Sequence, residues 1–190
     1  MELSLDLLPV VLLTDDELFA LCVAHPLMSI ERESNGNLII MTPAGGGTSS
    51  RKSNLVFELM SWNRLHQGGV VTGPDGGFRL PNGAMRAPDA AWTRRVRWKG
   101  LSDEEREKFP PLCPDFIIEL RSPSDRRAAL DAKMEEWTAN GCRLAWLIDP
   151  VEREAVVYRA DGSTEALGFD VVLSGEDVLP GFELDVRILC

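Results

Sequence analysis

Two dense apolar runs separated by a helical pattern constrain this chain most: Asp115–Leu120 (DFIIEL) and Arg143–Ile148 (RLAWLI). The first has an unbroken apolar middle, so it reads as a strand buried on both faces. Ser122-Pro123-Ser124-Asp125 then breaks and caps the chain. Arg126–Asn140 follows as a helix, with Leu130, Met134 and Trp137 on one side and Lys133 among them. Asn140-Gly141 ends it as a C-cap. The second run stops at Asp149-Pro150. A strand–helix–strand crossover inside a mixed sheet predicts α/β (α+β) architecture.

The flanking segments add to that core. Thr14 with Glu17 has capping-box spacing and opens a short helix over residues 14–24. Asn35-Gly36 is a hairpin turn leading into the strand Leu38–Met41. Pro43–Ser53 reads as a Gly/Ser loop, with Ser53 capping an amphipathic helix whose apolar stripe is Leu55, Leu59 and Trp62. Gly68-Gly69 stops that helix. Gly77–Leu80 and Arg86–Thr93 read as strands between turns, and 101–109 as a surface helix. A hairpin around Ala160-Asp161-Gly162 and a last strand pair near Gly181–Leu189 complete the pattern. No repeat or linker interrupts it, so 190 residues are expected to form one domain, residues 1–190.

Several function classes recede on composition. No apolar run approaches the roughly 20 residues that span a bilayer. The first residues carry Glu2 and Asp6 and lack a basic segment, so a signal peptide is not expected and the cytoplasm is. Cys22, Cys113, Cys142 and Cys190 form no C-x-x-C pair, and there are only two histidines. Neither a zinc site nor a disulfide framework is expected. A net charge of −10 opposes general adhesion to nucleic acid, though local charge counts for more than the total. Gly45–Ser53 is not a phosphate-binding P-loop, because Arg51 stands where that motif needs Gly before Lys52. A flexible loop near the site, with Arg51 and Lys52 free to meet phosphates, is expected instead. The most basic stretch is Arg94, Arg95, Arg97 and Lys99, set between Trp92 and Trp98. It suits backbone contact and base stacking, or equally a solvated turn over core tryptophans.

The chemistry concentrates on acidic residues in strands. Asp89 lies in one strand; Asp115 begins another and Glu119 is embedded in it. Alternation puts Asp115, Glu119 and Arg121 on one face. A carboxylate in an apolar strand is costly unless it is paired or holds a metal. Lys133 can reach back from the next helix. Two carboxylates with a cation could hold Mg²⁺ and stabilise charge on a phosphoryl group. Ordinary ion pairs with Arg121 or Lys133 would account for the same residues.

The segments RLPNGAMRAPDAAW, PPLCPDFIIELRSPSD, KMEEW and AWLIDP, taken together, resemble the Uma family of restriction endonucleases, formerly a domain of unknown function. The resemblance covers roughly residues 28 to 185. It implies a PD-(D/E)XK restriction-endonuclease-like fold with extra N- and C-terminal hairpins, and a nuclease using Mg²⁺ or Mn²⁺ on DNA. It implies Asp89 and Glu119 as metal ligands, with Asp115 a further candidate. The family's basic position two residues after the Glu is Arg121 here, so either Arg121 substitutes or Lys133 is the working lysine. Lys133 is favoured, because relatives with an apolar residue at the strand position keep the helix lysine. Glu58 and Glu31 are outside candidates for an accessory acid. Nucleases of this class often act as homodimers or larger homo-oligomers. A catalytically silent module that binds nucleic acid or protein is the alternative reading.

Overall fold

The computed structural model describes residues 2–7 and 11–189. At its centre is a six-stranded mixed sheet. In chain order its strands are β4 (Gly69–Thr72), β7 (Ala90–Arg94), β8 (Phe116–Leu120), β9 (Leu144–Asp149), β10 (Glu154–Arg159) and β11 (Thr164–Gly168). They lie in the spatial order β11-β10-β9-β8-β7-β4. Only β8 and β9 run parallel, with Glu119 opposite Leu147. The helix α5 (Arg127–Ala139) makes the crossover between them. The expected α+β architecture is thus present, for the physical reason that two strands buried on both faces need a helix to return the chain.

Each face of the sheet has its own core. Phe116, Ile118 and Leu120 pack with Leu55, Leu59 and Trp62 of the helix α2 (Gly46–His66). Ile117 and Ala91 point the other way and pack with Met134 and Trp137 of α5. Met134 and Trp137 are fully buried, worth on the order of 1.5–3 kcal/mol each in apolar burial. α2 and α5 therefore clamp the sheet from opposite sides.

A second sheet sits beside the first. It contains β1 (Glu2–Leu5), β2 (Ser29–Arg32), β3 (Leu38–Met41), β5 (Phe78–Arg79) and β6 (Met85–Arg86) in the order β1-β3-β2-β6-β5. The helix α1 (Asp15–Ala24) covers it, with the Thr14–Glu17 capping box formed and Leu18 buried against Ile30, Leu38 and Met85. Gly36 turns the β2–β3 hairpin at φ +95°, a conformation that favours glycine. Two short helices, α3 (Arg95–Lys99) and α4 (Asp103–Glu107), lead towards β8. The pair β12 (Val172–Ser174) and β13 (Glu183–Asp185) and a 3₁₀ turn over Val186–Leu189 close the chain.

Four local expectations need correction. α2 begins at Gly46, so most of the expected Gly/Ser loop is helix. Glycine weakens a helix by about 1 kcal/mol relative to alanine, which made the local signal read as loop. Tertiary contacts outweigh it: Thr48 is buried, and Arg51 donates to the Leu189 carbonyl at 2.6 Å. Ser53 is not a cap but lies inside the helix, its hydroxyl donating to the Ser49 carbonyl. The expected strand 86–93 is two strands in two sheets, β6 and β7. Pro88 has no N–H for a ladder, and the chain crosses from one sheet to the other there. The last strand does not pair within 181–189; β13 pairs with β12.

Gly69 marks a close approach. A side chain there would collide with the Trp92 indole and the Thr93 carbonyl. Asn63 holds the junction, accepting from Gly69 N and Trp92 Nε1 and donating to the Gly69 carbonyl. Among the described residues Cys22, Cys113 and Cys142 are free thiols, while Cys190 lies outside the described residues. No helix among them is long and apolar enough to cross a membrane.

Candidate active site

The break at Pro88 delivers Asp89 to the start of β7, beside the end of β8. Asp89 Oδ2 accepts the Leu120 amide at 2.7 Å, which fixes its carboxylate against the residue following Glu119. Glu119 points to the α5 side of the sheet, opposite to its apolar neighbours Ile118 and Leu120. On α5, Lys133 and Trp137 are one turn apart and share a face. Both reach the same oxygen, Glu119 Oε1: Lys133 Nζ at 2.8 Å and Trp137 Nε1 at 3.1 Å.

The second sheet contributes Glu31. Its Oε1 accepts from Lys133 Nζ at 2.9 Å and from the Ala87 amide at 3.0 Å. Arg86 pairs with Glu31 at 3.1 Å and with Glu136 at 2.5 Å. From the opposite helix, Lys52 reaches over the sheet end to Asp89 Oδ1 at 2.6 Å. Helices on the two faces of the sheet thus each send one lysine to one of two strand carboxylates. These groups line an open cleft of about 1800 Å³.

Burial and charge set their ionisation. Glu119 is 4% exposed; burial, with Asp89 and Glu31 nearby, pushes it up to about 7 despite Lys133. Burial also opposes ionisation of Glu31, but Lys133, Arg86 and the Ala87 amide hold it below the usual carboxylate range. Lys133 is half-buried and its partial desolvation opposes the charge, yet Glu119 and Glu31 raise its pKa, so it stays a cation. The cleft therefore contains a carboxyl poised near neutrality beside a permanently charged ammonium.

The structure brings together Asp89, Glu119, Lys133 and Glu31. It separates the rest. Asp115 sits at the other end of β8, where its carboxylate accepts the Arg94 amide at 2.8 Å and pairs with Arg97 at 3.0 Å. It shares a face with Glu119 but not a site, because four residues along a strand span roughly 13 Å. Arg121 lies beyond the end of β8 and pairs with Asp149 at 2.7 Å, so it does not stand in for the site's basic residue. Glu58 on α2 and the basic stretch 94–99 do not line the cleft. Lys52 was expected near the site as a free cation on a loop, but its pairing with Asp89 was not foreseen, nor were the roles of Arg86 and Trp137 beside Glu31 and Glu119. Lys52 lies three residues before Leu55, so it continues the buried stripe of α2 by one turn. Extending the helix would have revealed it. Among the described residues no group of three or more His, Cys, Asp or Glu is arranged to hold a metal.

Comparisons with known proteins bear on the fold and the family. A crystal structure described as a "putative nuclease belonging to DUF820", from Anabaena variabilis, superposes with a TM-score of 0.76 over 93% of this chain and 97% of that one. The two are 21% identical, a likeness that concerns the fold. No match is found among curated proteins. Residues 15–187, which include Asp89, Glu119, Lys133 and Glu31, match the Uma2 family, described as "Putative restriction endonuclease". With nearly its whole length matched, the chain belongs to the Uma2 family.

Proposed function

We propose that the chain is a divalent-metal-dependent nuclease that hydrolyses phosphodiester bonds in DNA and works as a homo-oligomer. The observation that carries this reading is the convergence of Asp89, Glu119 and Lys133 on one open cleft. Asp89 and Glu119 are the residues that would hold Mg²⁺ or Mn²⁺. Their hard oxygens suit these ions, and Mg²⁺ commonly takes one or two carboxylates with water and substrate phosphate completing its shell. A Glu119 held near 7 by burial and two neighbouring acids is a carboxyl short of positive charge, which fits a cation binding there. Bound, such an ion supplies Lewis acidity at a phosphoryl oxygen and a more acidic water.

The chain's own residues supply the rest. Lys133 gives two hydrogen bonds to Glu119 and Glu31, and an ammonium has three donors. The third is left for a phosphoryl oxygen, where it offsets developing negative charge. Because it stays protonated, Lys133 acts as a charge stabiliser and not as a base. Glu31 and Arg86 position Lys133, and the Trp137 indole positions Glu119.

The test is cleavage of plasmid and single-stranded DNA with Mg²⁺ or Mn²⁺. Asp89→Ala and Glu119→Gln are expected to lose roughly 100-fold or more in rate, while Arg121→Lys keeps most of it. A folded wild type that cuts neither DNA nor RNA would sink the proposal. One observation favours a silent binding module: both carboxylates already carry a lysine. Mn²⁺ titration separates the two, since a silent module shows no uptake that depends on Asp89.

A further inference from the structure

Asp89 has two oxygens, and the fold uses them differently. Oδ2 is committed to the Leu120 amide inside the protein. Oδ1 faces Lys52, at 2.6 Å. Lys52 therefore sits on the oxygen through which Asp89 would meet any other cation. The two lysines of the cleft are not equivalent. Lys133 is 14% exposed in its side chain and is held by two carboxylates, Glu31 and Glu119. Lys52 is 25% exposed, pairs with Asp89 and no other carboxylate among the described residues, and stands on the rim near the start of α2 with the open cleft in front of it.

Resting on the metal-dependent reading above, we infer that Lys52 is an internal competitor for the metal position: its ammonium occupies Asp89 Oδ1 in the metal-free protein and has to swing into the cleft before a divalent ion binds. The competition has a physical purpose. Without Lys52 the buried Asp89 carboxylate, held against the residue after Glu119, would have no ion pair among the described residues, and a buried unpaired carboxylate is costly. Lys52 supplies that ion pair and weakens metal binding in return. It thereby sets the metal concentration at which the site loads. The displaced ammonium remains tethered to α2 and lies along the cleft wall.

The experiment is calorimetric titration of the full chain with Mn²⁺ alone, comparing wild type, Lys52→Met and Lys52→Arg, with Asp89→Asn as the site control. Removing the ammonium takes a positive charge off Asp89 Oδ1, so Mn²⁺ binding is expected to tighten by roughly tenfold or more. Lys52→Arg keeps the charge and is expected to bind no tighter than wild type. Asp89→Asn is expected to abolish uptake in either background. Thermal unfolding with and without Mn²⁺ gives a second readout, in which Lys52→Met gains more from the ion than wild type does. If Lys52→Met binds Mn²⁺ equally or more weakly while wild type binds through Asp89, the competitor role is overturned and the nuclease reading stands. If none of the proteins takes up Mn²⁺, both fall. If the shift in affinity is found in a protein that cuts no nucleic acid, the competitor role stands and the nuclease reading falls.

Discussion

Glu119→Gln removes a carboxyl that burial holds at about 7 against an ordinary 4.5, and the consequence for stability can be worked out. Between those values the folded protein keeps a proton that the unfolded chain has released. Folded molecules then bind more protons than unfolded ones, so stability falls as pH rises from about 4.5 to about 7. At about 1.4 kcal/mol per pKa unit, the whole window amounts to about 3 kcal/mol in the metal-free protein. Glutamine has no proton to hold, so the variant lacks this slope. Glu31 does not confuse the comparison. Its pKa is lowered in the folded state, so its contribution is fully present above the ordinary 4.5 and is lost only at lower pH. Urea unfolding followed by tryptophan fluorescence at pH 5, 6, 7 and 8, with chelator present, measures the difference. Wild type is expected to lose about 3 kcal/mol more than the variant across the range. The comparison of slopes is independent of any constant offset from the substitution itself. Parallel pH profiles for the two proteins would refute the burial argument for Glu119.

Two further substitutions probe the scaffold. Lys133→Met leaves Glu119 and Glu31 buried without their shared cation, and is expected to cost about 3–5 kcal/mol in urea unfolding near pH 8, with a smaller loss near pH 5 where Glu119 is protonated. Gly69→Ala forces a methyl group against the Trp92 ring and the Thr93 carbonyl, and is expected to cost about 1–3 kcal/mol and to disturb the Asn63 hydrogen bonds seen in amide exchange.

Much of the central sheet was legible in the sequence because its signals are local and consistent. The runs 115–120 and 143–148 are too apolar for anything but doubly buried strands, and the pattern between them has the period of a helix. That part of the reading also located Glu119, whose charge breaks the apolar run, and Lys133, whose neighbours Met134 and Trp137 fix the face it lies on. What failed is equally physical. Asp115 and Glu119 obey the same strand parity, but parity gives a face and not a position along it; the two carboxylates end up with different partners, Arg97 and Lys133. Arg121 has the family's spacing, yet its partner Asp149 comes from the next strand, and no local rule ranks a neighbour 28 residues away against one two residues away. The pairing of Lys52 with Asp89 was hidden for a third reason. A run of glycines and serines has loop propensity, and only the burial of Thr48 and the docking of Arg51 on the C-terminal turn make it helical. The error in secondary structure thus became an error in chemistry, since a lysine in a loop reads as a free cation and the same lysine one turn before Leu55 is aimed at Asp89. The lysine most exposed to that misreading is the one that pairs with Asp89 at the mouth of the cleft.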